Sequence, residues 1–265
     1  MIPKILHYCW FGNKPKSELI LKNIESWKKY NPEYIIMEWN DDNCTFNDNT
    51  FVKDAYEFKK WAFVSDYIRV IKVKEFGGFY LDTDMEITRS FDDLLGYDCV
   101  CGFELLKKPF SAFFGAKANF SFVNDMVDYY INLKTLNLTP NTIVFSKLLI
   151  EKYHVNPNLD EFQMLENNFA IFPSSAFSLD IPKNYVIHHF EGSWIEGSNI
   201  FFKQYVNMYG VLDVFIKSEN SKESIHHLIN HNKIFKIEEI LDRIPLKLIF
   251  KYLIDKIKYR FARLK

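Results

Sequence analysis

"AFVSDYIRVIKVKEFGGFYLDTDMEI", residues 62–87, carries an apolar-periodic segment into two glycines and out through a short apolar run to the one D-x-D of the chain. Ala55, Phe58, Ala62, Ile68, Ile71 and Val73 recur at helical spacing, so one helix is expected from Asp54 to Phe76. Gly77-Gly78 should stop it, because left-handed backbone costs glycine little. Phe79 to Leu81 then reads as a buried strand, with Asp82 and Asp84 at its exit. Side chains two apart on a strand share a face, so both carboxylates are expected to reach one ion. Hard oxygen ligands suit Mn²⁺ or Mg²⁺, which keep positions open for phosphate oxygens. In open α/β sheets ligands bind beyond the carboxyl ends of strands, where these acids fall. Asp66 and Arg69 lie three apart on the preceding helix. They are read either as facing the same cleft or as a surface ion pair worth little.

Outward from this stretch, "IPKILHYCWFG" (2–12) and "EYIIMEWN" (33–40) read as buried strands around a helical "SELILKNIESWKKYNP" (17–32), a βαβ unit. "DCVCGFE" (98–104), "FSAFFGAKAN" (110–119), "FAIFP" (169–173) and "YVIHHF" (185–190) read as further strands. "SFVNDMVDYYINLK" (121–134) and "TIVFSKLLIEKYH" (142–154) read as helices. Beyond about residue 200 only helical patterns remain, roughly 221–241 and 245–264. The expected plan is an α/β domain over 1–205 with a helical C-terminal extension over 206–265.

Composition agrees with a folded chain: of 265 residues, 48% are hydrophobic and 17% aromatic. Thirty-three basic and 34 acidic residues leave a net charge of −1, so no global field draws nucleic acid. Cys9, Cys44, Cys99 and Cys101 form no C-x-x-C and are too sparse for a disulfide scaffold. The opening run is too short and too aromatic for a signal peptide, and no 18-residue apolar stretch is present, so a reduced cytoplasmic setting without a membrane span is expected.

Ala62, Ser65-Asp66, Arg69, Gly77-Gly78, Tyr80, Asp82 and Asp84 together resemble the signature of the DXD-containing sugar transferases of glycosyltransferase family 32. These include capsular-polysaccharide and α-1,6-mannosyl transferases, with the clostridial glucosylating toxins as distant relatives. The opening is similar to that family's first strand, I-P-K-x-I-H-x-x-W, and the resemblance covers about residues 1–90. It implies a GT-A-type, Rossmann-like mixed sheet with flanking helices. It also implies metal-dependent transfer of a hexose, with retention, from a nucleotide-diphosphate sugar (a UDP-sugar favoured) to a growing surface glycan or lipid-linked acceptor. Asp82 and Asp84 would hold Mn²⁺ or Mg²⁺, Asp84 more directly. Asp66 and Arg69 would contact ribose and sugar, Trp10 the base, and Tyr80 and Gly78 the nucleotide. Relatives carry a metal-binding His in H-F-x-G followed by Ser-Trp. Here that implies His189, with His188 as its rival, and Ser193 and Trp194 near the diphosphate. "LTPNTIVFSKLL" departs from the family's T-G-P, leaving Thr142 and Ser146 on the acceptor side without a firm role. Glu104 and Ser111 are read as facing the sugar, Glu104 equally as a solvated acid.

Two other classes compete. Haloacid-dehalogenase-like phosphatases use a strand-end D-x-D, but with Thr or Val where this chain has Glu86. A non-catalytic nucleotide-sugar-binding protein would tolerate a damaged signature, and every charged position here is intact.

The tail, "DRIPLKLIFKYLIDKIKYRFARLK" (242–265), holds eight basic residues and one acid from Arg243 onward. On a helix, Leu246, Leu248, Ile249, Leu253, Ile257, Phe261 and Leu264 form an apolar stripe beside Lys247, Lys251, Lys256, Lys258, Arg260, Arg263 and Lys265. This reads as a peripheral contact with an anionic membrane on its cytoplasmic face, as a helix packed on the catalytic domain, or as a protein contact.

Overall fold

The computed structural model describes residues 1–47, 49–104, 107–110, 112–180 and 183–190, and then Glu238, Asp242, Leu246, Lys247, Ile249, Phe250, Leu253, Ile254 and Ile257. The chain divides into two compact units, Met1–Ser198 and Asn199–Lys265.

The first unit opens with the expected βαβ: β1 (Ile5–Cys9), α1 (Glu18–Tyr30) and β2 (Ile35–Trp39). Ser17 caps α1 by accepting the Ile20 amide proton, and Ile20, Ile24 and Trp27 bury one helical face. Where one helix was expected over 54–76 there are two, α2 (Thr50–Glu57) and α3 (Trp61–Phe76). Lys59 takes φ 54 and the Lys60 amide bonds back to the Ala55 carbonyl at 2.8 Å, which ends α2 without glycine or proline. Phe58, assigned to the apolar stripe, is 65% exposed at this break.

Gly77 and Gly78 then turn the chain from α3 into β3 (Gly78–Leu81) with φ of 66 and 105. A Cβ at Gly78 would lie 2.7 Å from the Ile5 carbonyl oxygen, so β3 reaches its place beside β1 only with glycine there. A short β4 (Met85–Ile87) follows, then β5 (Cys99–Gly102), β6 (Phe113–Ala116), α4 (Ser121–Asn132) and α5 (Asn141–Glu151). β7 (Gln163–Leu165), β8 (Phe169–Phe172), the one-turn α6 (Ser174–Phe177) and β9 (Val186–His188) complete the unit.

Seven strands form one mixed sheet in the order β2-β1-β3-β6-β5-β8-β7, and β4 pairs with β9 in a separate antiparallel ribbon. β1 runs parallel to both β2 and β3, while β6 runs antiparallel to β3 and β5. Alternate residues feed two cores. Tyr80, Cys99, Cys101, Phe114, Phe169 and Ile171 pack on the α3 face, and Phe79, Leu81, Val100, Phe113 and Ala170 on the α1 face. The expected α/β class with a mixed sheet and flanking helices is what the chain adopts. In the second unit every described residue is helical.

Candidate active site

Asp66 and Arg69 face inward from α3 at 7% and 5% exposure, so they are not the surface ion pair the spacing also allowed. Arg69 Nη2 lies 2.9 Å from Asp66 Oδ1 and 3.1 Å from Asp82 Oδ1, joining helix to D-x-D. Its Nε donates to the Ser65 carbonyl at 3.2 Å, and its guanidinium lies over the Tyr80 ring at 4.4 Å. The Tyr80 hydroxyl donates to Asp82 Oδ1 at 2.9 Å. Burial pushes the Asp66 carboxyl up to about 7 against the pull of Arg69, with Asp82 adding to the rise. The Asp82 carboxylate is therefore held on the α3 side by a guanidinium and a phenol.

The D-x-D is not on a strand, contrary to the spacing argument. β3 ends at Leu81, and the Met85 amide closes a turn onto the Asp82 carbonyl at 3.1 Å. α1 fastens that turn: Asn23 Nδ2 donates to the Thr83 carbonyl at 2.9 Å and Trp27 Nε1 to the Met85 carbonyl at 2.8 Å. A turn sends the two acids to different partners, Asp82 to Arg69 and Asp84 to a histidine.

Pairing of β4 with β9 sets Met85 opposite His188, and the His189 amide donates to the Asp84 carbonyl at 2.9 Å. His188 Nε2 then stands 3.4 Å from Asp84 Oδ2, whereas His189 Nε2 stands 3.2 Å from Glu86 Oε2. It is thus the rival histidine that faces the D-x-D. Burial opposes the charging of His188, but Asp84, Glu104 and Asp82 outweigh it and raise its pKa. The His188 Nδ1 atom is buried and has no hydrogen-bond partner among the described residues, and its ring stacks on Phe190 at 3.8 Å.

No group of three His, Cys, Asp or Glu among the described residues stands at metal-binding geometry. The donor set nonetheless fits a divalent ion. Asp84 Oδ2 and His188 Nε2 lie 3.4 Å apart, close enough to share one ion, and Glu104 and Asp82 add negative charge around the same imidazole. Asp82 would join only by leaving Arg69.

Trp10, just past β1, donates its indole N–H to the Lys14 carbonyl at 2.7 Å, with Lys16 Nζ 5.7 Å over its ring. Gly78 is buried against Ile5 and His7 inside the sheet. Ser146 is buried on α5 with its hydroxyl unbonded among the described residues, and Thr142 bonds to Asn141. Ser111, Ser193 and Trp194 lie outside the described residues. Reading the sequence missed Asn23, whose signal was an amide set among the apolar positions Ile20, Ile24 and Trp27 of α1.

Residues 17–101 match the family described as glycosyltransferase sugar-binding region containing DXD motif. That span includes Asp66, Arg69, Tyr80, Asp82 and Asp84. Glucan organizing enzyme 1 of Cryptococcus neoformans var. grubii serotype A is 44% identical over 46 residues, 17% of this chain and 13% of that protein. Among solved structures, the PaToxG glycosyltransferase aligns over 57% of this chain and 70% of its own, at 18% identity and a TM-score of 0.42. A glycosyltransferase involved in glycosylation of the major capsid of PBCV-1 aligns over 70% of this chain and 93% of its own, at 10% identity and a TM-score of 0.38.

Proposed function

We propose that this chain, whose residues 17–101 match the glycosyltransferase sugar-binding region containing the DXD motif, is a transferase that moves a hexose from a UDP-sugar to a growing surface glycan, with a divalent metal and with retention. The observation that carries this reading is the approach of Asp84 to His188, 3.4 Å apart, beside buried Arg69 and its half-buried partner Asp82. We assign His188, in place of His189, as the third metal ligand with Asp82 and Asp84. These residues would hold Mn²⁺ or Mg²⁺, which would supply charge neutralisation at the leaving diphosphate.

The protein's own groups do the rest. Arg69 stands ready to exchange Asp82 for donor oxygens, keeping a cation beside the charge that develops as the sugar–phosphate bond breaks. Asp66 holds Arg69 from the other side and meets the sugar or ribose. Trp10 offers its ring to the base, Tyr80 orients Asp82, and Ser193 and Trp194 contact the diphosphate. A phosphatase reading is disfavoured because Glu86 stands where that class has Thr or Val, and residues 17–101 match the DXD-containing sugar-binding region.

The test is Mn²⁺ binding by calorimetry with UDP present, together with UDP-sugar hydrolysis across a panel of donors. Asp84→Asn and His188→Ala should each weaken Mn²⁺ by at least about 100-fold, and His189→Ala by no more than a few-fold. Full hydrolysis in EDTA would refute the metal mechanism, and the reverse order of the two histidine variants would return the ligand to His189.

A further inference from the structure

We propose that the apolar face of the C-terminal helix docks on an anionic lipid surface. Leu246, Phe250, Leu253, Ile254 and Ile257 are helical and 71%, 62%, 46%, 50% and 55% exposed. Their spacing of four, three, one and three residues places them on a single stripe about 100° wide. The exposed face therefore runs through Phe250 and Ile254, and Ile249, assigned to the stripe from the sequence, is only partly exposed. Five neighbouring large apolar side chains left in water on one helix are what a soluble surface avoids.

The charges beside the stripe identify what covers it. Lys247 is exposed at its border, and from Arg243 onward the sequence has eight basic residues against Asp255, in a chain whose net charge is −1. A face both apolar and basic needs a partner that layers hydrocarbon beneath negative charge, which an anionic bilayer provides at its headgroup boundary. Lys247, Lys251, Asp255, Lys256 and Lys258 leave the tail no apolar run of spanning length, so this helix is assigned to lie along the interface. Docking would hold the transferase where a lipid-linked acceptor is presented.

The experiment is co-sedimentation of the full chain with vesicles of phosphatidylcholine alone or with 30 mol% phosphatidylglycerol (about that fraction suffices for a strong surface potential). Binding to the mixed vesicles should exceed that to neutral ones by at least about tenfold and collapse on raising salt from about 0.05 to 0.5 M. The full-chain variant Phe250→Ser/Ile254→Ser alters only exposed positions, should melt like the wild type, and should lose binding at least about tenfold. Charge reversal at Lys247, Lys251 and Lys258 should cost about fivefold per residue. Equal partitioning of the serine variant and the wild type would overturn the proposal. So would a wild type that pairs in solution through this face, becomes monomeric in the serine variant and ignores vesicles. Because nothing is read from sugar transfer, failure here is distinguishable from failure of the donor site.

Discussion

Arg69 is 5% exposed and holds two carboxylates, Asp66 at 2.9 Å and Asp82 at 3.1 Å. Removing it strands a buried acid, so Arg69→Ala is expected to lose about 3–5 kcal/mol of stability as well as activity. That double loss cannot separate fold from chemistry. Arg69→Lys can: it keeps the charge but not the fork that addresses two acids at once. Lysine should retain more than half of the lost stability while kcat falls at least about 100-fold. Denaturant melts and steady-state transfer measure the two quantities. A lysine enzyme of native rate would mean that the site asks only for a positive charge.

At the scale of elements, His7 on β1 ties two neighbours together. Its Nε2–H donates to the Gly77 carbonyl at 2.7 Å and its Nδ1 accepts from Trp39 Nε1 at 3.1 Å, fixing β2 and the end of α3 to β1. Protonation would set two donors face to face, and burial holds the His7 pKa down at about 4. The unfolded histidine titrates near 6.5, so between those values the unfolded chain binds more protons. Stability from this residue is complete above about pH 6.5 and is lost as pH falls toward 4, by about 3 kcal/mol in all. Asp66, with its raised pKa, tilts stability the other way across the same range. The measurement is therefore the difference between wild type and His7→Gln in melts from pH 7 to 4. A constant difference would show that His7 keeps its proton on folding.

The same scale explains what could be read from the sequence. β1, α1 and β2 were legible because apolar period, the Ser17 cap and Pro32 all agree. The break between α2 and α3 was not, because Lys59 adopts a left-handed conformation with nothing in its chemistry to announce it. β7 escaped notice as a three-residue strand at the sheet edge, with Met164 exposed. Asp66, Arg69, Tyr80, Asp82, Asp84 and His188, which meet in the fold, had each been singled out in the sequence, but not the pairings Arg69–Asp82 and His188–Asp84. Which histidine meets Asp84 depends on the register of β4 against β9, a non-local pairing of three residues that no local pattern encodes.

For the whole molecule, the two apolar clusters draw, among the described residues, only on positions from Ile2 to Val186. The first compact unit ends at Ser198, after Ser193 and Trp194 and a few residues before the boundary expected from the sequence. A chain shortened to 1–198 thus keeps both cores, the α1-fastened D-x-D turn and the β4–β9 ribbon that presents His188. It is expected to melt in one cooperative step. Mn²⁺ with UDP at about 100 times the dissociation constant should stabilise it by about 2.7 kcal/mol, as in the full chain. Differential scanning calorimetry of both forms, with and without these ligands, makes the comparison. An equal ligand-induced rise in the two melts places the donor site wholly within the first unit. A short form that melts without cooperativity, or gains nothing from the ligands, would mean that residues after Ser198 complete either the core or the site.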